Sequence, residues 1–176
     1  MREIIVVIFL SMWTTVNLPA NPAPCNDSMQ THDLAHEIKI GILYHDIAQV
    51  WGNTKIEGGY DVNCEFLWGT GLVRPCGGFA INSQGETSRT YIGYNFMVVH
   101  RSCFASAFGG GAVVFNYHRV LGSHVLFRVA GEIGLTLTKD GQHSLSLILD
   151  HISNANLAEH NAGLDLFGVR YGYKWD

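Results

Sequence analysis

The sequence predicts an all-β fold, an eight-stranded antiparallel up-and-down β-barrel of the outer-membrane type, and three observations carry that prediction. Beyond Asp33 the chain is a series of short alternating segments rich in Val, Ile, Phe and Tyr, separated by Gly, Asn, Asp and Ser clusters, with almost no helical periodicity. Eight such segments can be counted, many about ten residues long, which suits the tilted strands of a small membrane barrel. The final segment is aromatic on one face, with Tyr171, Tyr173 and Trp175 close to the terminus.

The strands are expected at residues 37–46, 60–68, 72–82, 90–100, 103–115, 123–137, 143–153 and 165–175. Their alternation assigns the two faces. In the first, Ile38, Ile40, Ile42 and Tyr44 alternate with Lys39, Gly41 and His45, and in the second Tyr60, Val62, Cys64 and Phe66 alternate with Asp61, Asn63 and Glu65. The sixth sets Val125, Phe127, Val129, Ile133, Leu135 and Leu137 against His124, Arg128, Glu132 and Thr136. The eighth sets Phe167, Val169, Tyr171, Tyr173 and Trp175 against Gly168, Arg170, Gly172 and Lys174. In a membrane barrel the apolar rows meet lipid, and the charges pair inside. A soluble barrel of lipocalin type would invert the two faces, and alternation alone fits both. The aromatic last strand favours the membrane, although Asp176 follows where a terminal aromatic is usual. Gly109, Gly110 and Gly111 fall within a strand, without the Lys-Ser or helix of a phosphate loop, and read as a place of bending or close packing.

Ahead of the barrel, Met1-Arg2-Glu3 and the apolar run from Ile4 to Trp13 lead into Asn17-Leu18-Pro19-Ala20-Asn21-Pro22-Ala23. About ten apolar residues are too few for a spanning helix and suit the core of a secretory signal. Cleavage is expected near Ala20 or Ala23, making residues 1–23 a signal peptide and 24–176 a single barrel domain; the other reading is an N-terminal strand. Cys25, Cys64, Cys76 and Cys103 are compatible with two disulfides, yet face parity puts Cys64 outward and Cys76 inward, which leaves free thiols equally open. The 11 basic and 15 acidic residues form no basic stripe, so nucleic acid is not expected as a partner. His32 and His36 have no convincing third ligand, and no metal site is expected. No Gly-x-Ser-x-Gly elbow is present.

His151 and Ser153 are two residues apart, so on a strand both project from one face. A serine hydroxyl needs a base to become a nucleophile, and imidazole is the side chain suited to that near neutral pH. A carboxylate must then hold the ring. If residues 154–164 close a hairpin between the last two strands, Ser153 pairs opposite Asp165 and His151 opposite Phe167, which brings all three within about 5 to 8 Å. All three continue the apolar rows assigned to lipid, where polar groups are costly without a purpose. A bilayer ester reaching the site sideways is the substrate this arrangement suits. Asn161, Asn154 and the backbone at Gly163 are the candidate oxyanion donors, Asn161 foremost.

The segments His151-Ile152-Ser153-Asn154, Asn161-Ala162-Gly163-Leu164-Asp165 and Gly168-Val169-Arg170-Tyr171-Gly172-Tyr173 resemble the C-terminal signature of PagL-type lipid A 3-O-deacylases. Gly41-Ile42-Leu43-Tyr44-His45-Asp46 and Leu121-Gly122-Ser123-His124-Val125-Leu126-Phe127 are similar to the same family. The resemblance implies an outer-membrane enzyme that removes the acyl chain ester-linked at position 3 of lipid A without a cofactor. It implies His151 as base, Ser153 as nucleophile, Asp165 as the acid that orients His151, and Asn161 in the oxyanion hole. Asp165 stands where the family carries Glu, and Ala162 where it often has proline or a charged residue. A non-enzymatic barrel serving adhesion or membrane integrity is the alternative, and a homodimer is left open.

Overall fold

The structure, a computed structural model, describes residues 35–47, 57–116 and 121–176. The expected signal segment, Cys25 and His32 lie outside them. Eight strands follow in order: β1 (His36–Tyr44), β2 (Tyr60–Trp68), β3 (Val73–Asn82), β4 (Ser88–His100), β5 (Cys103–Phe115), β6 (Val125–Thr136), β7 (His143–Ser153) and β8 (Leu164–Trp175). Each pairs antiparallel with its sequence neighbours, and β1 pairs with β8 to close the barrel. Strand starts and ends differ from the sequence expectation by two residues or fewer.

The faces follow the expected parity. Ile40, Ile42, Val62, Ile92, Phe96, Val129, Ile133 and Val169 are exposed on the outside, a continuous apolar belt of the kind that lipid covers. Tyr44 meets Tyr60 edge-on at one end of the belt, and Tyr173 stacks on Trp175 at the other. His36 opens β1 and has its ring against Trp175. Cys64 is half-buried on the outer row, and Cys76 is buried in the lumen. Cys64, Cys76 and Cys103 are free thiols.

The lumen is packed with paired charge. Arg128 binds Asp150 through Nε at 2.9 Å and Glu65 through Nη1 at 3.0 Å, and its guanidinium lies 3.8 Å from the Tyr91 ring centre and 4.2 Å from that of Phe108. Arg170 joins Glu132 at 2.6 Å and Glu65 at 3.0 Å, while Lys39 reaches Glu132 at 2.6 Å. Arg89 bridges Asp150 and Asp61. Burying charge in a low-dielectric interior is expensive unless each group is paired, and here cation and anion alternate from one end of the lumen to the other. Space for these long side chains comes from residues without any: a Cβ at Gly41 would stand 2.6 Å from Arg170 Cγ, so only glycine fits beside that guanidinium stem. In the glycine run of β5 the close packing is at Gly110, where a Cβ would lie 2.3 Å from the Ile92 carbonyl oxygen; at Gly109 a Cβ would meet nothing within 4 Å, and at Gly111 only the Leu126 carbonyl oxygen at 3.9 Å.

The outer face makes a direct prediction. Ile133 is 62% exposed near the middle of β6, and Ile133→Arg would set a charge against hydrocarbon. Folding into phospholipid vesicles should be destabilised by about 2–4 kcal/mol, read as a lower denaturant midpoint. The same substitution on a solvent-covered barrel would leave the midpoint almost unchanged.

Candidate active site

Strand β7 carries the apolar row Leu145, Leu147, Leu149 toward lipid, and the next two positions in that row are His151 and Ser153. The opposite row turns inward. Asp150 is fully buried between Arg89 and Arg128, so the β7 backbone is anchored to the lumen immediately before His151. On the neighbouring strands His151 pairs with Val129 and Ser153 with Phe127, both exposed apolar residues that surround the site with lipid-facing surface.

The three candidate residues come together. A carboxylate oxygen can only accept, so His151 Nδ1 donates to Asp165 Oδ1 at 2.6 Å; in the neutral ring Nε2 then accepts from Ser153 Oγ at 3.0 Å. Ser153 is half-buried, the His151 side chain is 26% exposed, and Asp165 is 1% exposed. The carboxylate is thus covered while the hydroxyl opens toward the membrane.

Two details differ from the sequence expectation. His151, not Ser153, is opposite Asp165, and Leu149 is opposite Phe167. A slide of two residues keeps every side chain on its face, so the hydrophobic pattern is blind to it. The loop decides: Ala155, Asn156 and Gly163 all have positive φ, and β8 starts at Leu164, pairing with Ile152. Asp165 also belongs to the outer row by parity yet is buried, with His151 on one side and the backbone at Ile47 on the other, where the Ile47 N–H donates to the Asp165 carbonyl at 2.8 Å.

The candidate oxyanion residues form the loop itself. Asn154 Nδ2 donates to the Leu121 carbonyl at 2.8 Å and the His160 carbonyl at 2.5 Å, and its backbone N–H donates to Asn161 Oδ1 at 2.9 Å. Asn154 therefore braces the loop and fixes the Asn161 amide, whose Nδ2 makes an exposed 3.1 Å bond to Asn156 Oδ1. Gly163, φ 67°, turns the chain into β8. The loop before β6 leans on this structure at Gly122, φ 75°, where a Cβ would stand 2.0 Å from the His160 carbonyl oxygen. The role of Gly122 has no mark in the sequence, because a contact between two loops leaves no periodic signal.

The barrel is similar to solved membrane barrels. It aligns with the outer membrane enzyme PagL at 17% identity and TM-score 0.54, covering 77% of this chain and 98% of that one. A de novo designed transmembrane β-barrel aligns at 10% identity and TM-score 0.53, covering 80% of this chain and 94% of that one. Ail, the attachment invasion locus protein of Yersinia pestis, aligns at 9% identity and TM-score 0.51, covering 81% and 99%. These likenesses concern the fold. No curated protein sequence matches significantly. The family described as lipid A 3-O-deacylase (PagL) matches residues 51–174, most of the chain and all of the site just described. With its lipid-facing belt, its closed eight-stranded barrel and that match, the chain belongs to the PagL lipid A 3-O-deacylase family, as a protein of the Gram-negative outer membrane.

Proposed function

We propose that the protein is a serine ester hydrolase that removes the 3-O-linked acyl chain of lipid A, with Ser153 as nucleophile, His151 as general base and Asp165 as the group that orients and charges-balances the ring. The observation that carries this reading is the unbroken hydrogen-bond chain from Asp165 through His151 to Ser153 on the lipid-facing wall.

Its height on the barrel supports the substrate. Connections at one end span 69–72, 101–102 and 137–142, and at the other 45–59, 83–87, 116–124 and 154–163. Outer-membrane barrels keep short turns on the periplasmic side and long loops outside. Ser153 lies at the long-loop end, at the level of the outer leaflet, where lipid A resides.

In this mechanism Ser153 Oγ attacks the ester carbonyl as His151 Nε2 takes its proton, and Asp165 stabilises the imidazolium. The tetrahedral oxyanion needs fixed donors. Asn161 Nδ2 fills that role after leaving its exposed bond to Asn156, the Gly163 backbone N–H being the second candidate donor, while Asn154 holds Asn161 in place. Collapse breaks the bond to the sugar oxygen, which takes the proton from His151 and leaves an acyl-Ser153. Water, deprotonated by His151, then releases the fatty acid. No step calls for a cofactor.

The test compares lipid A from cells expressing the wild type and Ser153→Ala by mass spectrometry. The wild type is expected to yield lipid A lighter by one hydroxyacyl group, and the variant unmodified lipid A. Identical spectra from folded proteins would defeat the reading in favour of a non-enzymatic barrel.

A further inference from the structure

A second histidine, at the same end of the barrel as the site, is more tightly held than His151. His45 follows β1, points into the lumen and is completely buried. Its Nδ1 donates to Asp61 Oδ1 at 2.6 Å and its Nε2 to Glu57 Oε2 at 2.8 Å, an arrangement that needs a proton on both nitrogens. Glu57 lies at the far end of the first long loop and is bound in turn by Thr87, through Oγ1 at 2.6 Å and the backbone N–H at 3.0 Å. Asp61 is braced by Arg89 at 2.7 Å and Asn82 at 3.1 Å. Asp46 Oδ2 accepts from the Glu57 N–H, and the His45 N–H donates to the Gly59 carbonyl. Both ends of the 45–59 loop are therefore tied to each other and to the lumen wall through one imidazolium.

This clasp continues to the site. The β1–β8 ladder runs regularly to Tyr44 opposite Phe167, and one further regular step of two would set Asp46 opposite Asp165. Instead Asp46 adopts a left-handed conformation, φ 53°, and it is the Ile47 N–H that meets the Asp165 carbonyl. Residues 46 and 47 together oppose Asp165, a bulge at a barrel rim of the sort that re-aims a neighbouring side chain. Among the described residues the Asp165 side chain has little else to fix it: Oδ1 is on His151, and Oδ2 is buried with no hydrogen-bond partner there. Its direction depends on the backbone that bears it, held by β7 on one side and by the bulge on the other.

We propose that His45 is a positioning residue for the hydrolytic site: by clasping Glu57 and Asp61 it fixes the Asp46–Ile47 bulge, which sets Asp165 against His151. The proposal rests on the triad reading above. It gives the site a dependence on a histidine that never touches substrate.

The electrostatics fit. Burial disfavours charge on the His45 ring, but the Asp61 and Glu57 carboxylates outweigh it and raise the pKa above the ordinary histidine value. Burial likewise pushes the Glu57 carboxyl up, and the bonds from His45 and Thr87 more than reverse it, lowering the pKa. Among the described residues the charged groups around the ring are Asp61 of β2, Glu57 and Asp46 of the loop, and Arg89 of β4 behind Asp61. Because the folded pKa of His45 is raised, the clasp is complete at and below the ordinary histidine pKa. It is lost as pH rises through the raised value.

The experiment follows the rate of Ser153 labelling by a fluorophosphonate and the steady-state hydrolysis of purified lipid A, across pH, for the full chain in phospholipid. His45→Gln and Glu57→Gln are compared with wild type, with Ser153→Ala as control, and heat-modifiable migration confirms folding. Folded His45→Gln is expected to lose about 10- to 100-fold in kcat with little change in KM, as a small misplacement does. Wild type is expected to show an alkaline fall in labelling while still folded. Glu57→Gln should move that fall down by about one pH unit, since one of the two carboxylates supporting the imidazolium is gone. A purely structural histidine would change the yield of folded protein and leave the pH profile of the folded fraction alone. Wild-type kcat in folded His45→Gln, no alkaline fall in wild type, or a fall unmoved in Glu57→Gln would each overturn the proposal. If His45→Gln does not fold, the wild-type and Glu57→Gln profiles decide. Labelling or turnover in Ser153→Ala would instead overturn the triad.

Discussion

Replacing Asp165 by asparagine is expected to lower kcat by about 10⁴-fold while the barrel stays folded, measured as release of hydroxy fatty acid from purified lipid A. The reason is the tautomer. The carboxylate accepts from His151 Nδ1 at 2.6 Å and so leaves Nε2 free of a proton, facing Ser153 Oγ at 3.0 Å. An asparagine can turn its amide N–H₂ to Nδ1, move the ring proton to Nε2 and remove the base. It also withdraws the negative charge that steadies the imidazolium in the transition state. Asp165→Glu, which keeps the charge at the cost of one methylene, should remain well above the asparagine variant. Activity in Asp165→Asn equal to wild type would remove Asp165 from the mechanism.

The largest effect on stability is expected at Asp150→Ala. This carboxylate binds Arg128 Nε at 2.9 and 3.1 Å and Arg89 Nη2 at 2.9 Å, and all three side chains are fully buried. Among the described residues its removal leaves Arg128 with Glu65, which Arg170 also binds, and Arg89 with Asp61, which His45 also binds. Breaking a buried pair in this way costs about 3–5 kcal/mol, a large share of the stability of a domain of this size. The variant should show a marked loss of the heat-modifiable folded band and a lower denaturant midpoint in vesicles. A midpoint within a few tenths of a molar of the wild type would mean that the lumen readily rearranges around the missing anion.

The barrel was legible because its two faces obey opposite chemistries. The row Val125, Phe127, Val129, Ile133, Leu135 has no reason to alternate with Arg128 and Glu132 except that one side meets hydrocarbon and the other a packed lumen. His151 and Ser153 were legible for the same reason, as polar residues interrupting an apolar row. What the pattern could not supply was anything that preserves it. A shift of two residues between β7 and β8 leaves every face unchanged, so the true partner of Asp165 emerged only with the positive φ angles of the connecting loop. The His45 clasp was out of reach for a different reason. Glu57 lies in a loop with no periodicity, and nothing in the sequence joins it to a histidine twelve residues earlier. The inward parity of His45 and Asp61 was the one available clue, since the β1–β2 register sets Leu43 opposite Asp61, one step along the same face.

The ion-paired filling of the lumen has a bearing on the cell that carries this protein. Among the described residues, buried guanidinium, carboxylate and imidazole groups fill the lumen from His45 at one end to Lys39 and Glu37 at the other, which is the interior of a packed barrel rather than of an open pore. On the proposed function, a cell would then remodel its surface lipid with a protein whose interior is filled by ion pairs, so that the chemistry stays on the outer wall of the barrel.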